Sequence, residues 1–177
     1  RLFGDHPQTF GQLGAAFVEG LNAAGVAGCL KHFPEAAGDT SEDPHQKTPI
    51  LKGSATTFRT SSRYLPGLEW GLAALMIGHL VCPDYDALPA SISPKWIERI
   101  IRNKMAFDGV IISDSLDMGA LGPFVKDEGD AAVKAISAGC FKNRVGVVQE
   151  QGLDSCAFQY LVGNGLISIA SERELAP

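Results

Sequence analysis

The sequence has no Cys-x-x-Cys pair, no Gly-x-Gly-x-x-Gly after any strand-like run, no low-complexity tract and no internal repeat. Each absence removes a class of function. The four cysteines, Cys29, Cys82, Cys140 and Cys156, stand far apart, which argues against a zinc site of the usual paired spacing. Cys29 and Cys82 lie in or beside apolar runs and read as buried free thiols. Free thiols fit a reducing, cytoplasmic compartment. Without the glycine fingerprint a dinucleotide-binding fold has no support. No stretch is long and apolar enough to cross a bilayer as a helix. Positive charge is also short: 15 Lys and Arg stand against 20 Asp and Glu, a net charge of −5. A chain with no basic footprint is not built primarily for nucleic acid. The first residues, Arg1-Leu2-Phe3-Gly4-Asp5-His6-Pro7, lack the apolar core of a signal peptide. They also lack an initiator Met, so the expectation is a piece of a longer chain.

What remains is an ordinary globular composition. Hydrophobic residues make up 45% and charged residues 20% of 177 positions, enough for one domain with a core and too apolar for disorder. Apolar periodicity predicts a helix over residues 8–24, stopped by Gly25, then a strand over Val26–Leu30. A polar loop follows from His32 to Lys47, broken by Pro34, Gly38 and Pro44. Residues 57–72 read as an irregular helix and Ala74–Val81 as a strand buried on both faces. Ser93-Pro94 opens a helix that runs to about Met105. Gly109–Ile112 is the next strand, and residues 128–138 form a helix ended by Gly139. Val145–Val148 reads as a strand, residues 150–162 as a helix, and Ser171 starts a last turn or two. Alternating strands and helices imply a parallel sheet with crossover helices, α/β in class. A doubly wound sheet and a (β/α) barrel both fit that pattern. A closed barrel of eight strands takes about 250 residues, and about four strands can be read here, so a barrel would be incomplete.

Chemistry-bearing residues gather at the downstream ends of two of these strands. Lys31-His32-Phe33-Pro34, then Gly38-Asp39-Thr40 and Asp43-Pro44-His45, follow the first strand. Ser113-Asp114-Ser115-Leu116-Asp117-Met118 follows Ile111-Ile112. Strand C-terminal ends are where a barrel keeps its reacting groups. Each residue also has a plainer reading. Asp114 could cap the next helix, as could Ser113 or Asp117. His45 could be a solvated loop histidine. Lys31 and His32 could pair with Asp39 or Glu42. His79, in the run Leu75-Met76-Ile77-Gly78-His79-Leu80, could be a satisfied core histidine or a wall of the site. Glu35, Asp39 and Glu42 read as solvated loop charges, and Trp70 and Trp96 as helix packing.

These motifs resemble glycoside hydrolase family 3. The resemblance rests on Lys31-His32-Phe33-Pro34, Asp43-x-His45, Pro89-Ala90 with Ser93, and Phe107-Asp108-Gly109-Val110-Ile111-Ile112-Ser113-Asp114-x-Leu116-x-Met118. Within the family they are similar to the β-N-acetylglucosaminidase branch of bacterial peptidoglycan recycling. The likeness runs from Arg1 to about Gly139 and is poor beyond Cys140.

The resemblance implies a single (β/α)₈-type catalytic domain over residues 1–177, incomplete, corresponding to about the C-terminal half to two-thirds of the barrel. It implies a retaining glycosidase that releases terminal N-acetylglucosamine. Asp114 matches the nucleophile, and Asp43 with His45 matches an Asp-His dyad whose imidazole is the general acid/base. Lys31, His32 and Arg1 match residues that contact the sugar; His79 and Met118 are counted with them as substrate-site residues. No metal or organic cofactor is called for, and the partner is an N-acetylglucosamine-containing glycan. Open barrel edges would favour self-association. The chain differs from the family at residues 35–38, Glu-Ala-Ala-Gly where Gly-His-Gly is usual, and at Pro44, where Ser or Thr is usual. A non-catalytic remnant and a family 3 β-glucosidase are the rival readings; Asp43 and His45 count against the second.

Overall fold

A computed structural model describes residues 7–34, 42–51 and 71–141. Helix α1 spans Pro7–Ala23. Strands β1 (Cys29–Phe33), β2 (Ala74–Ile77) and β3 (Val110–Ser113) form a parallel sheet in that order. Helix α2, Lys95–Lys104, lies between β2 and β3 and has the wider π pattern. Helix α3, Glu128–Ala138, follows β3. Short 3₁₀ turns occur at Ala90–Ile92 and Gly119–Leu121. The α/β class and the parallel strands agree with the sequence reading. Expected elements at residues 57–70 and 145–177, and Trp70 and Cys156, lie outside the described residues.

The sheet has two unlike faces. Leu30, Phe33, Leu75, Ile77 and Ile111 are buried and join one core with Val18 of α1, with Trp96, Ile97, Ile100 and Ile101 of α2, and with Ala131, Ala132, Ala135 and Ala138 of α3. Ala74, Met76, Val110 and Ile112 alternate with these residues along β2 and β3 and are only half-buried. All three described helices therefore cover the same face. Trp96 is a core residue, edge-on to Phe33 and Tyr85, as its plainer reading predicted. The second face corrects the expectation of burial on both sides for the strand itself, Ala74–Ile77; residues 78–81 are all buried but lie beyond the strand's end.

Strand boundaries differ from the periodicity at one informative place. β1 begins at Cys29 rather than Val26 and runs through Lys31 and His32. Leu30 pairs with Leu75 and Phe33 with Ile77, with a register shift between them. Two residues of β1 thus oppose one of β2, which is a bulge. The extra residue breaks the two-residue alternation. Leu30 and Phe33 both stay in the core, and Lys31 and His32 both leave it. Cys29 is exposed, against expectation, because it falls on the face away from Leu30; Cys82 and Cys140 are buried.

Helix ends follow the local chemistry. The Ser93 hydroxyl accepts the Trp96 N–H at 3.2 Å at the start of α2. Asp127 caps α3 by accepting the Asp130 N–H at 2.8 Å, and Gly139 ends it at φ +113°, a left-handed conformation that suits glycine. In α1 the buried stripe is Gly11, Gly14, Ala15 and Val18, while Leu13 and Phe17 are exposed. Small residues let the helix lie close to the start of β1. Arg102 joins α2 to β3: its Nη1 donates to the Phe107 and Gly109 carbonyls, each at 2.7 Å.

Candidate active site

Asp114 directly follows β3, and its backbone N–H extends the sheet by donating to the Ile77 carbonyl at 2.8 Å. Its side chain is 23% exposed. Carboxylate Oδ1 accepts the Ser115 N–H at 2.9 Å. Oδ2 faces His32 Nε2 at 3.4 Å. The bulge in β1 is what turns His32 towards this carboxylate. Partial burial holds the His32 imidazole below its ordinary pKa, against the pull of Asp114 in the opposite direction; Lys31 adds to the lowering. A neutral imidazole beside a carboxylate can both donate to and accept from hydroxyl groups. Lys31 is exposed. Glu42 pairs with Lys47 at 3.6 Å rather than with Lys31, so that part of its plainer reading is not what the structure has.

His79 is only 2% exposed. Its Nε2 lies 2.8 Å from the Ser115 carbonyl oxygen, and its Nδ1 lies 2.7 Å from the Ser91 hydroxyl. A carbonyl can only accept, so Nε2 carries the proton and Nδ1 accepts from Ser91. Burial lowers the His79 pKa, partly offset by the Ser115 hydrogen bond and by Asp114. Both ring nitrogens are committed inside the protein. Through these two contacts His79 holds the turn that carries Asp114. Met118 is also buried, at 6% exposure, so its side chain offers little surface to a ligand.

Asp43 and His45 are both exposed. The Asp43 carboxylate Oδ1 accepts the backbone N–H of His45 at 3.0 Å. Its carbonyl accepts from Gln46 and Lys47, each at 2.9 Å. Asp43 therefore caps a single turn in which Pro44 sits at the first position, where a missing N–H does no harm. The contact within the expected dyad is carboxylate to backbone, not carboxylate to ring. Arg1, Glu35 and Asp39 lie outside the described residues.

The structure does bring the two loops together. Gly119 N–H donates to the His45 carbonyl at 3.1 Å and Ala120 N–H to the Pro44 carbonyl at 3.0 Å. The Thr48 hydroxyl donates to the Ala120 carbonyl at 2.6 Å. Downstream, Leu51 N–H donates to the Val81 carbonyl and Val81 N–H to the Pro49 carbonyl. Thr48, Ser91, Ser115 and Gly119 were not singled out from the sequence. Their parts are played by backbone groups or single hydroxyls, which leave no spacing to read. Among the described residues no three His, Cys, Asp or Glu side chains gather as metal ligands would.

The family model for the glycosyl hydrolase family 3 N terminal domain matches residues 1–151. The chain belongs to this family. A beta-hexosaminidase of Stenotrophomonas maltophilia (strain R551-3) is 37% identical over 122 residues, covering 68% of this chain and 36% of that protein. One from Thiobacillus denitrificans is 35% identical over 148 residues, covering 79% of this chain and 39% of that protein. Among solved structures, a family 3 beta-N-acetylglucosaminidase from Paenibacillus sp. FPU-7 superposes with a TM-score of 0.70 at 33% identity, over 76% of this chain and 26% of that one. The chain thus spans well under half the length of these family 3 relatives. The family match includes both the Lys31–His45 region and the Asp114 turn.

Proposed function

We propose that this chain carries the reacting groups of a glycoside hydrolase that releases terminal β-N-acetylglucosamine from a glycan, a peptidoglycan fragment in the cytoplasm. One observation carries the reading. Asp114 stands at the C-terminal end of a parallel strand, partly exposed, with one oxygen tied to a backbone N–H and the other beside His32. The names of the family 3 relatives supply the sugar.

In the retaining route, Asp114 attacks the anomeric carbon and the bond to the leaving oxygen breaks. His45, as imidazolium, gives that oxygen its proton. Water then attacks the anomeric carbon, passes its proton to His45 and frees the Asp114 carboxylate. Two inversions restore the original configuration. His32, beside Asp114, and exposed Lys31 would hold sugar hydroxyls, with Arg1 a further contact; all three roles rest on the resemblance.

The fold reading is an incomplete (β/α)₈ barrel. Among the described residues the helices lie on one face of the sheet and the second face is apolar and half-buried, which suits a barrel wall whose inner face needs further strands. The same feature would make the isolated chain self-associate through its open edges. The experiment that tests the function is covalent trapping. A slow fluorinated N-acetylglucosaminyl donor should add one sugar mass to the peptide containing Asp114. Label on another residue, or hydrolysis with inverted configuration, would overturn this mechanism.

A further inference from the structure

We infer that Gly119 and Thr48 are positioning residues that set where the His45 loop stands over the Asp114 turn; the inference rests on the glycosidase reading above. The loop and the turn meet through backbone. Gly119 and Ala120 donate their N–H groups to consecutive carbonyls, those of His45 and Pro44. Thr48 closes the contact from the other side, on the Ala120 carbonyl. Ala120 is thereby held at both its N–H and its C=O. Its side chain and that of Leu121 are completely buried, so this floor belongs to the core. His45, Gln46 and Lys47 are exposed above it.

The approach is so close that only glycine fits. A Cβ on Gly119 would lie 2.7 Å from the Gln46 carbonyl oxygen, 2.8 Å from the His45 carbonyl oxygen and 2.9 Å from the Gln46 carbonyl carbon. These are backbone atoms, and no rotamer change relieves the clash. A methyl group there must lift the segment that bears the imidazole. The Asp114 turn is held separately, by His79 on the Ser115 carbonyl and by the Ser115 N–H on the carboxylate. Lifting the loop should therefore displace the acid/base while leaving the nucleophile in place.

The test compares two N-acetylglucosaminides in the whole natural protein that contains this segment. One has an alkoxide leaving group that needs a proton; the other has a dinitrophenolate that does not. Gly119→Ala should lower kcat/KM for the alkyl glycoside by about tenfold or more beyond its effect on the aryl glycoside, as expected when a general acid is misplaced. Thr48→Val should shift the ratio in the same direction by less, and Thr48→Ser should restore it. Thr48→Val keeps the inference falsifiable if Gly119→Ala does not fold. Equal losses on both substrates in folded variants would show a merely structural role and overturn the inference. A wild type that cleaves neither substrate would instead overturn the glycosidase reading on which it stands.

Discussion

The turn after β3 and the loop at residues 43–48 hold their ionisable groups by different means. Asp114 is fixed through its side chain as well as its backbone: Ser115 N–H binds Oδ1, His32 faces Oδ2, and buried His79 ties the Ser115 carbonyl to Ser91. Among the described residues His45 is fixed through its backbone, by Asp43 on its N–H and Gly119 on its carbonyl. A nucleophile must present one atom to one carbon, so a locked carboxylate suits it. A general acid/base first gives a proton to the leaving oxygen and then takes one from the water that replaces it, so its ring must be open to both. An exposed ring on an anchored loop suits that task.

The largest expected effect tests the locked side. Asp114→Ala should lower turnover of an aryl N-acetylglucosaminide by roughly a thousandfold or more, the scale of losing a nucleophile, with the circular dichroism spectrum unchanged. Near-normal activity would show that the locked carboxylate is not the nucleophile. Next comes the exposed partner. His45→Ala should cost about a hundred- to ten-thousand-fold on an alkyl glycoside and much less on a dinitrophenyl glycoside. A similar loss on both would place His45 in the framework rather than in proton transfer.

A smaller effect is expected from the support of the Asp114 turn. His79→Leu leaves the Ser91 hydroxyl and the Ser115 carbonyl without their partner, at about 1–3 kcal/mol for each buried group. Denaturant titration reads this as a lower midpoint. The same residue sets a pH dependence. Burial lowers the folded pKa of His79 and of His32 below the ordinary histidine value. Below that value, near pH 6.5, the unfolded chain binds protons that the folded chain resists. Stability contributed by these rings is thus present above about pH 6.5 and lost as pH falls through the folded values. Thermal melts between about pH 7.5 and 5 should show the fall, with a shallower slope for His79→Asn. A flat profile in the wild type would contradict the buried neutral tautomer.

The smallest effect is reserved for Asp43. If its role is to cap the turn, Asp43→Asn should retain most activity, because an amide oxygen also accepts the His45 N–H. Asp43→Ala should cost on the order of tenfold, about one hydrogen bond. Loss in Asp43→Asn as large as in His45→Ala would mean that the carboxylate charge acts on the ring during turnover.

Much of this arrangement was legible from residue patterns. Gly139 stops α3 because a left-handed residue is needed there, and Ser93-Pro94 opens α2 because a hydroxyl and a fixed φ suit a first turn. The position of Asp114 just beyond a β-branched run is legible too, but that position alone leaves a helix cap equally open, and only the family motif favours a reacting group. His79 was the harder case. A histidine in an apolar run looks the same whether it faces a ligand or a serine, and only the positions of Ser91 and Ser115, far away in sequence, decide between them. The β1 bulge was equally hidden, because its cause is the register against β2.

Among the described residues the sequence alone therefore determined the order of helices and strands and the parallel α/β class, because periodicity and turn chemistry are local. Tertiary structure decided which face of β1 carries Lys31 and His32, which histidine is locked and which is free, and that Gly119 touches the His45 loop. Those outcomes depend on distances between segments that meet only when the chain folds, and on hydrogen bonds from backbone groups that every residue but proline can offer.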